Sequence, residues 1–176
     1  MSQQFAEGQL TFKFPDDWPV CRPGGTSFYR RHFQSFCGGS KEIDFLAYQP
    51  EAKTLWCIEV KDYRANPRTK QKDLADEVAE KIRDVMAMLP LGGIRDNAVS
   101  EPGQMQVREF WRCMRKMIVI RVILHCEIPA SPSKLFPEVK DVANLQTKIS
   151  QKLRCVDPHA LFTSCRRAHS LPWIVT

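Results

Sequence analysis

No two cysteines of this chain stand in a CxxC pair. The seven present, at positions 21, 37, 57, 113, 126, 155 and 165, are scattered singly, which disfavours a zinc ribbon. The count is odd, and Met1 to Glu7 contain no apolar signal-peptide core. Reduced thiols in a cytoplasmic protein are therefore the expected state. Long apolar runs are missing too. The longest, Met117 to Leu124, is broken by Arg121, and nothing reaches the length of a membrane span. The glycine pairs at 24–25, 38–39 and 92–93 lack a phosphate-loop pattern. The four histidines, His32, His125, His159 and His169, show no metal-ligand spacing, and none stands with a cysteine in a recognisable nucleophile motif. There is no internal repeat, no low-complexity tract and no clear domain boundary.

What remains is an ordinary globular composition, 43% hydrophobic and 26% charged over 176 residues, which predicts a single domain spanning 1–176. Lysine and arginine exceed aspartate and glutamate by 26 − 20 = 6. An excess of this size suits a polyanionic partner without requiring one.

Leu10 to Phe14 alternate apolar and polar, as a half-buried strand does. Thr26 to Phe36 fit a short helix and a strand equally. Lys41–Tyr48 and Thr54–Tyr63 read as a hairpin turning around Gln49 to Lys53. Leu74, Val78, Ile82, Val85 and Leu89 recur at helical spacing, and Pro90 with Gly92-Gly93 is expected to stop that helix. A second helix is predicted from about Gln104 to Lys116, with Val107, Phe110, Trp111 and Met114 as its buried stripe. Met117–Ile128 reads as a buried strand, Asp141–Leu153 as a third helix, and Trp173 to Val175 as an edge strand. This order implies an α/β fold with a mixed sheet.

The hairpin carries acids where strands seldom keep them. Side chains alternate between the faces of a strand. Cys57, Glu59 and Lys61 thus share one face of the second strand, opposite a core face of Trp56, Ile58 and Val60. Closing the hairpin with Tyr48 opposite Leu55 sets Leu46 against Cys57, Asp44 against Glu59 and Glu42 against Lys61. Like charges facing one another across a sheet repel. A hard divalent cation such as Mg²⁺ relieves that repulsion, and Asp44, Glu59 and the Val60 carbonyl are oxygen donors for it. The alternative is a solvated face carrying surface ion pairs, which contribute little. Strand physics alone leaves both open.

The run EIDFLA followed by LWCIEVKDYR resembles the PD-(D/E)XK nuclease superfamily, with its restriction-endonuclease-like fold. Asp44 matches the family's aspartate, Glu59-Val60-Lys61 its acid-x-lysine, and the following helix its next element. The match covers roughly residues 40–90. The resemblance implies a mixed central sheet flanked by helices. It also implies a Mg²⁺-dependent endonuclease, with Mn²⁺ as substitute, acting on DNA or less often RNA. Asp44 and Glu59 would be the metal ligands and Lys61 the catalytic lysine. One departure is plain: the family's further acid on an N-terminal helix has no counterpart in Thr26–Phe36, and Glu42 and Glu7 are loose substitutes.

Weaker candidates surround this motif. Arg64, Arg68, Lys70 and Lys72 crowd a helix start, where cations oppose the dipole, so phosphate contact stands beside a merely solvated face. Arg108, Arg112 and Arg115 form one helical stripe, which reads as a nucleic-acid track or as the wet side of the helix. The competing functional class is a catalytically inactive nucleic-acid-binding or protein-interaction module of the same fold. A homodimer, or a partner protein that supplies recognition, is compatible with so short a chain.

Overall fold

The computed structural model describes residues 2–66, 68–95, 107, 108, 110–113, 115, 116, 119–129 and 141–176. They form a mixed α/β protein. In chain order the strands are β1 (Ser2–Glu7), β2 (Leu10–Pro15), β3 (Val20–Cys21), β4 (Phe45–Gln49), β5 (Thr54–Asp62), β6 (Val119–Glu127), β7 (Leu161–Thr163) and β8 (Ile174–Val175). The helices are α1 (Leu74–Arg95), α2 (described helical residues within 107–113) and α3 (Val142–Lys152). The chain divides into two compact units. One comprises Met1–Asp17, Glu59–Ala79 and Arg121–Thr176, and the other Trp18–Ile58 and Glu80–Ile120.

In the first unit, β2 lies between β1 and β8, antiparallel to both. Its alternation works as predicted: Leu10, Phe12 and Phe14 are buried, and Lys13 between them is not. Beyond this sheet, β6 pairs with β7 in parallel, His125 aligning with Thr163. The segment after β5 joins β6 through the Tyr63 N–H, which donates to the Glu127 carbonyl at 2.9 Å. Asp141 caps α3 by accepting from the Asn144 N–H at 3.0 Å, and Leu145 and Ile149 fill the buried side of that helix.

In the second unit, β3, β4 and the start of β5 are antiparallel neighbours. The hairpin register is the predicted one, with Tyr48 on Leu55 and Leu46 on Cys57. The strand limits differ. The ladder ends at Phe45 on Ile58, and Asp44 sits in a bend ahead of β4 rather than inside it. The Asp44–Glu59 and Glu42–Lys61 rungs are therefore not part of the ladder. Glu42 reaches Tyr29 instead, and burial, with this carboxylate beside the hydroxyl, raises the tyrosine pKa. Thr26–Phe36 is helical in character, opened by Thr26, whose hydroxyl accepts from the Tyr29 N–H at 3.2 Å.

Two further expectations need correction. α1 does not stop at Pro90 but continues through Gly92 and Gly93 to Arg95. The glycines serve packing. A Cβ on Gly92 would lie 2.2 Å from Val107, and one on Gly93 2.1 Å from Trp111. Backbone and α2 side chains meet there without room for a methyl group. The second correction concerns β5, which is buried on both faces: Cys57, Ile58 and Glu59 are each 0% exposed. The solvated-face alternative thus fails at Glu59. Residues 130–137 of the predicted loop, the part of the second helix before residue 107, and Met114 of its predicted stripe fall outside the described residues.

Candidate functional site

The site is built at the exit of β5. Glu59, Val60 and Lys61 are consecutive strand residues, and the chain then passes through Asp62–Lys72 into α1. Asp73 accepts from the Ala75 N–H at 2.7 Å and so opens the helix. Asp76 and Glu77 complement the dipole of its first turn. This geometry turns Glu77 back toward the strand, where it is 2% exposed.

Lys61 is clasped by two carboxylates. Its Nζ lies 2.5 Å from Glu59 Oε1 and 3.3 Å from Glu77 Oε1. Glu77 collects further cations: Arg68 Nη1 at 3.1 Å from Oε2, and Lys70 Nζ at 3.1 Å from Oε1. Burial pushes the Glu77 carboxyl up, but Lys61, Arg68 and Lys70 outweigh it and hold the pKa down to about 2. Two carboxylates and three cations give the cluster a formal charge of +1. Lys61, Arg68, Lys70 and Glu77 line a cleft of about 300 Å³, together with Val60 and Thr69.

Of the residues singled out from sequence, the structure gathers Glu59, Val60, Lys61, Arg68 and Lys70 here. Arg68 is buried. Its guanidinium donates to Glu77, to the Tyr63 hydroxyl at 3.1 Å and to the Lys72 carbonyl. Arg64 grips Asp62 at 2.6 Å and holds that carboxyl below its usual range. Lys70 and Lys72 are exposed. Asp44 is half-buried and belongs to the second unit, as do Arg108, which is half-buried, and Arg112 and Arg115, which are exposed.

Sequence reasoning missed Glu77. The stripe of α1 was read from its apolar members alone. Glu77 stands three residues after Leu74 on the same side, and Asp84, seven residues further on, is buried as well. An acid recurring on the apolar side of a helix was the available signal. The histidine reading also needs revision: the fold brings His125 within reach of Glu127 and Cys165, a grouping invisible in linear spacing.

Glu59 and Glu77 each place a carboxylate oxygen against the Lys61 ammonium. That donor type fits a hard divalent cation of the kind the sequence resemblance implies. Among the described residues, no helix is long and apolar enough to cross a membrane.

Searches against protein families and solved structures returned no match. The chain is similar to the cysteine–tRNA ligase of Neisseria meningitidis serogroup A / serotype 4A (strain DSM 15465 / Z2491), with 30% identity over 170 residues. The aligned stretch takes in 79% of this chain and 23% of that protein. The chain thus spans about a quarter of the length of the relative it matches.

Proposed function

We propose that this chain is a metal-dependent phosphodiester hydrolase of restriction-endonuclease-like fold, acting on nucleic acid and on DNA in the first instance. One observation carries the reading: a lysine held between two buried carboxylates on the wall of a cleft, in the acid-x-lysine pattern of a strand that leads into a helix. Surface ion pairing does not account for a carboxylate with no solvent exposure, as Glu59 is.

Mg²⁺, or Mn²⁺ in its place, polarises a phosphoryl oxygen when bound and lowers the pKa of a coordinated water. Glu59 would supply a carboxylate ligand and the Val60 carbonyl a further oxygen, and the sequence pattern assigns Asp44 as a second carboxylate ligand. The Lys61 ammonium orients the attacking water and meets charge developing on the phosphorus. Lys70, whose side chain is 67% exposed, would meet a phosphate flanking the scissile bond.

The test is cleavage of plasmid, linear and single-stranded DNA, and of tRNA, by the full chain with Mg²⁺ or Mn²⁺. Lys61→Ala and a chelator control run alongside. Metal-dependent cleavage lost in Lys61→Ala is the expected outcome. Equal inertness of both proteins on every substrate would sink the proposal.

A second reading follows from the relative, whose name makes tRNA its substrate: a module that binds RNA without cutting it. It predicts a tRNA gel shift that needs no divalent metal and survives Lys61→Ala.

A further inference from the structure

The described residues hold a second cluster with a different donor chemistry. His125 and Glu127 are two residues apart on β6 and so project from the same face. The parallel register sets His125 beside Thr163. Cys165 follows two residues after Thr163, at the start of a short 3-10 helix. Contacts follow that placement. His125 Nε2 lies 3.1 Å from Glu127 Oε1 and 4.0 Å from Cys165 Sγ, and the Cys165 N–H donates to the same Oε1 at 2.6 Å. One ligand atom from each residue falls within a 4.8 Å set. A zinc-class ion with bonds of about 2.0–2.3 Å draws its donors to within roughly 3.3–3.8 Å of one another, a small contraction from this arrangement.

Two other readings fit the geometry less well. A thiol nucleophile with a histidine base needs the thiol on one ring nitrogen and the orienting carboxylate on the other. Here Cys165 and Glu127 both approach Nε2, and Nδ1 is buried with no hydrogen-bond partner among the described residues. A magnesium site is excluded by donor type, since imidazole and thiolate select softer ions. A structural four-ligand zinc site would need another protein donor, and the described residues give three. Three ligands and one open position is the pattern of a site that keeps room for an exogenous ligand. That position has access. Glu127 and Cys165 line a pocket of about 760 Å³, with Arg64, Arg166 and Arg167 on its wall.

We propose that His125, Glu127 and Cys165 form a three-ligand site for a zinc-class transition-metal ion, with its open position facing this arginine-walled pocket. Binding displaces the Cys165 thiol proton to solvent and leaves His125 neutral. The proposal is independent of the nuclease reading, whose residues it does not share.

The full chain, stripped of metal by chelator dialysis, is titrated with Zn²⁺ and, as an optical probe, with Co²⁺. One Zn²⁺ per chain is expected, with a thiolate-to-cobalt charge-transfer band. Cys165→Ser should abolish the band and weaken Zn²⁺ binding by more than the roughly 10–100-fold that loss of an outer-shell partner costs. Cys155→Ser, at an exposed cysteine, should match the wild type, and the Zn²⁺ and Co²⁺ readouts are scored without any nucleic-acid substrate, which separates this outcome from that of the nuclease assay. Failure of the wild type to retain Zn²⁺, a Co²⁺ spectrum without a thiolate band, or undiminished binding in Cys165→Ser would each overturn the site. The wild-type spectrum decides the question even if the variant does not fold.

Discussion

Lys61 and Glu59 show how much one interior charge depends on its neighbour. Removing one member of a buried pair strands the other, whereas removing both is often nearly neutral. Lys61→Met should destabilise the fold by about 3 kcal/mol in urea unfolding. The double variant Glu59→Gln/Lys61→Met should recover most of that loss and still fail to cleave nucleic acid. Recovery of cleavage together with stability would remove both residues from the chemistry. Glu77 adds a pH signature. Its folded pKa is about 2 against an ordinary 4.5, so its contribution is complete above about pH 4.5 and is lost as pH falls toward 2. With this carboxylate almost fully buried, the contribution is on the order of 3 kcal/mol. Glu77→Gln should flatten the stability profile of the wild type between pH 5 and 2.5. An unchanged profile would mean that the three cations around Glu77 do not act as the contacts suggest. At this scale the sequence was informative about Glu59 and Lys61, because a charge in a β-branched, aromatic strand is unusual wherever it occurs. It was silent on Glu77, whose role depends on how a helix returns to a strand.

Local periodicity made most of the elements legible. β2, β5, β6 and α3 carry alternation or a 3.6-residue stripe over enough positions to stand out, and the β4–β5 register followed from closing a short loop. Elements of two or three residues, such as β3 and β7, hold too few positions for a period. β7 is what brings Cys165 to His125, so the second cluster was hidden with it. The end of α1 was misjudged for another reason. Proline and glycine usually end helices, but here tertiary packing overrides that preference. Gly93 admits Trp111 so closely that a Cβ would sit 2.6 Å from the tryptophan Cβ and 2.1 Å from its Cγ, atoms with little freedom to retreat. Gly93→Ala should therefore destabilise by about 1–3 kcal/mol, despite the helix propensity alanine adds. A thermal melt showing equal or greater stability would mean that α1 and α2 do not pack as closely as described.

For the whole molecule, the question is whether a net charge of +6 is a grip on nucleic acid or only a solubility device. Net charge alone does not separate the two, but salt dependence does. Each phosphate neutralised by a protein cation releases condensed counterions, so log K falls with log salt by about 0.9 per contact on duplex DNA. The basic residues differ in what they have to give. Arg68 is buried against Glu77, and Arg64 is engaged by Asp62, so neither should alter the slope much. Arg112 and Arg115 are exposed. If they track a nucleic-acid backbone, Arg112→Ala/Arg115→Ala should lower the slope by about 2 and weaken binding uniformly across sequences. The measurement is a fluorescence titration of labelled duplex DNA, and of tRNA in parallel, over a series of salt concentrations. A slope equal to that of the wild type would leave α2 as a solvated helix and assign the grip to the cations around Lys61. A steeper change on tRNA than on duplex would favour the RNA-binding reading. The two substrates then separate what the charge is for, while the Lys61 variant separates binding from cleavage.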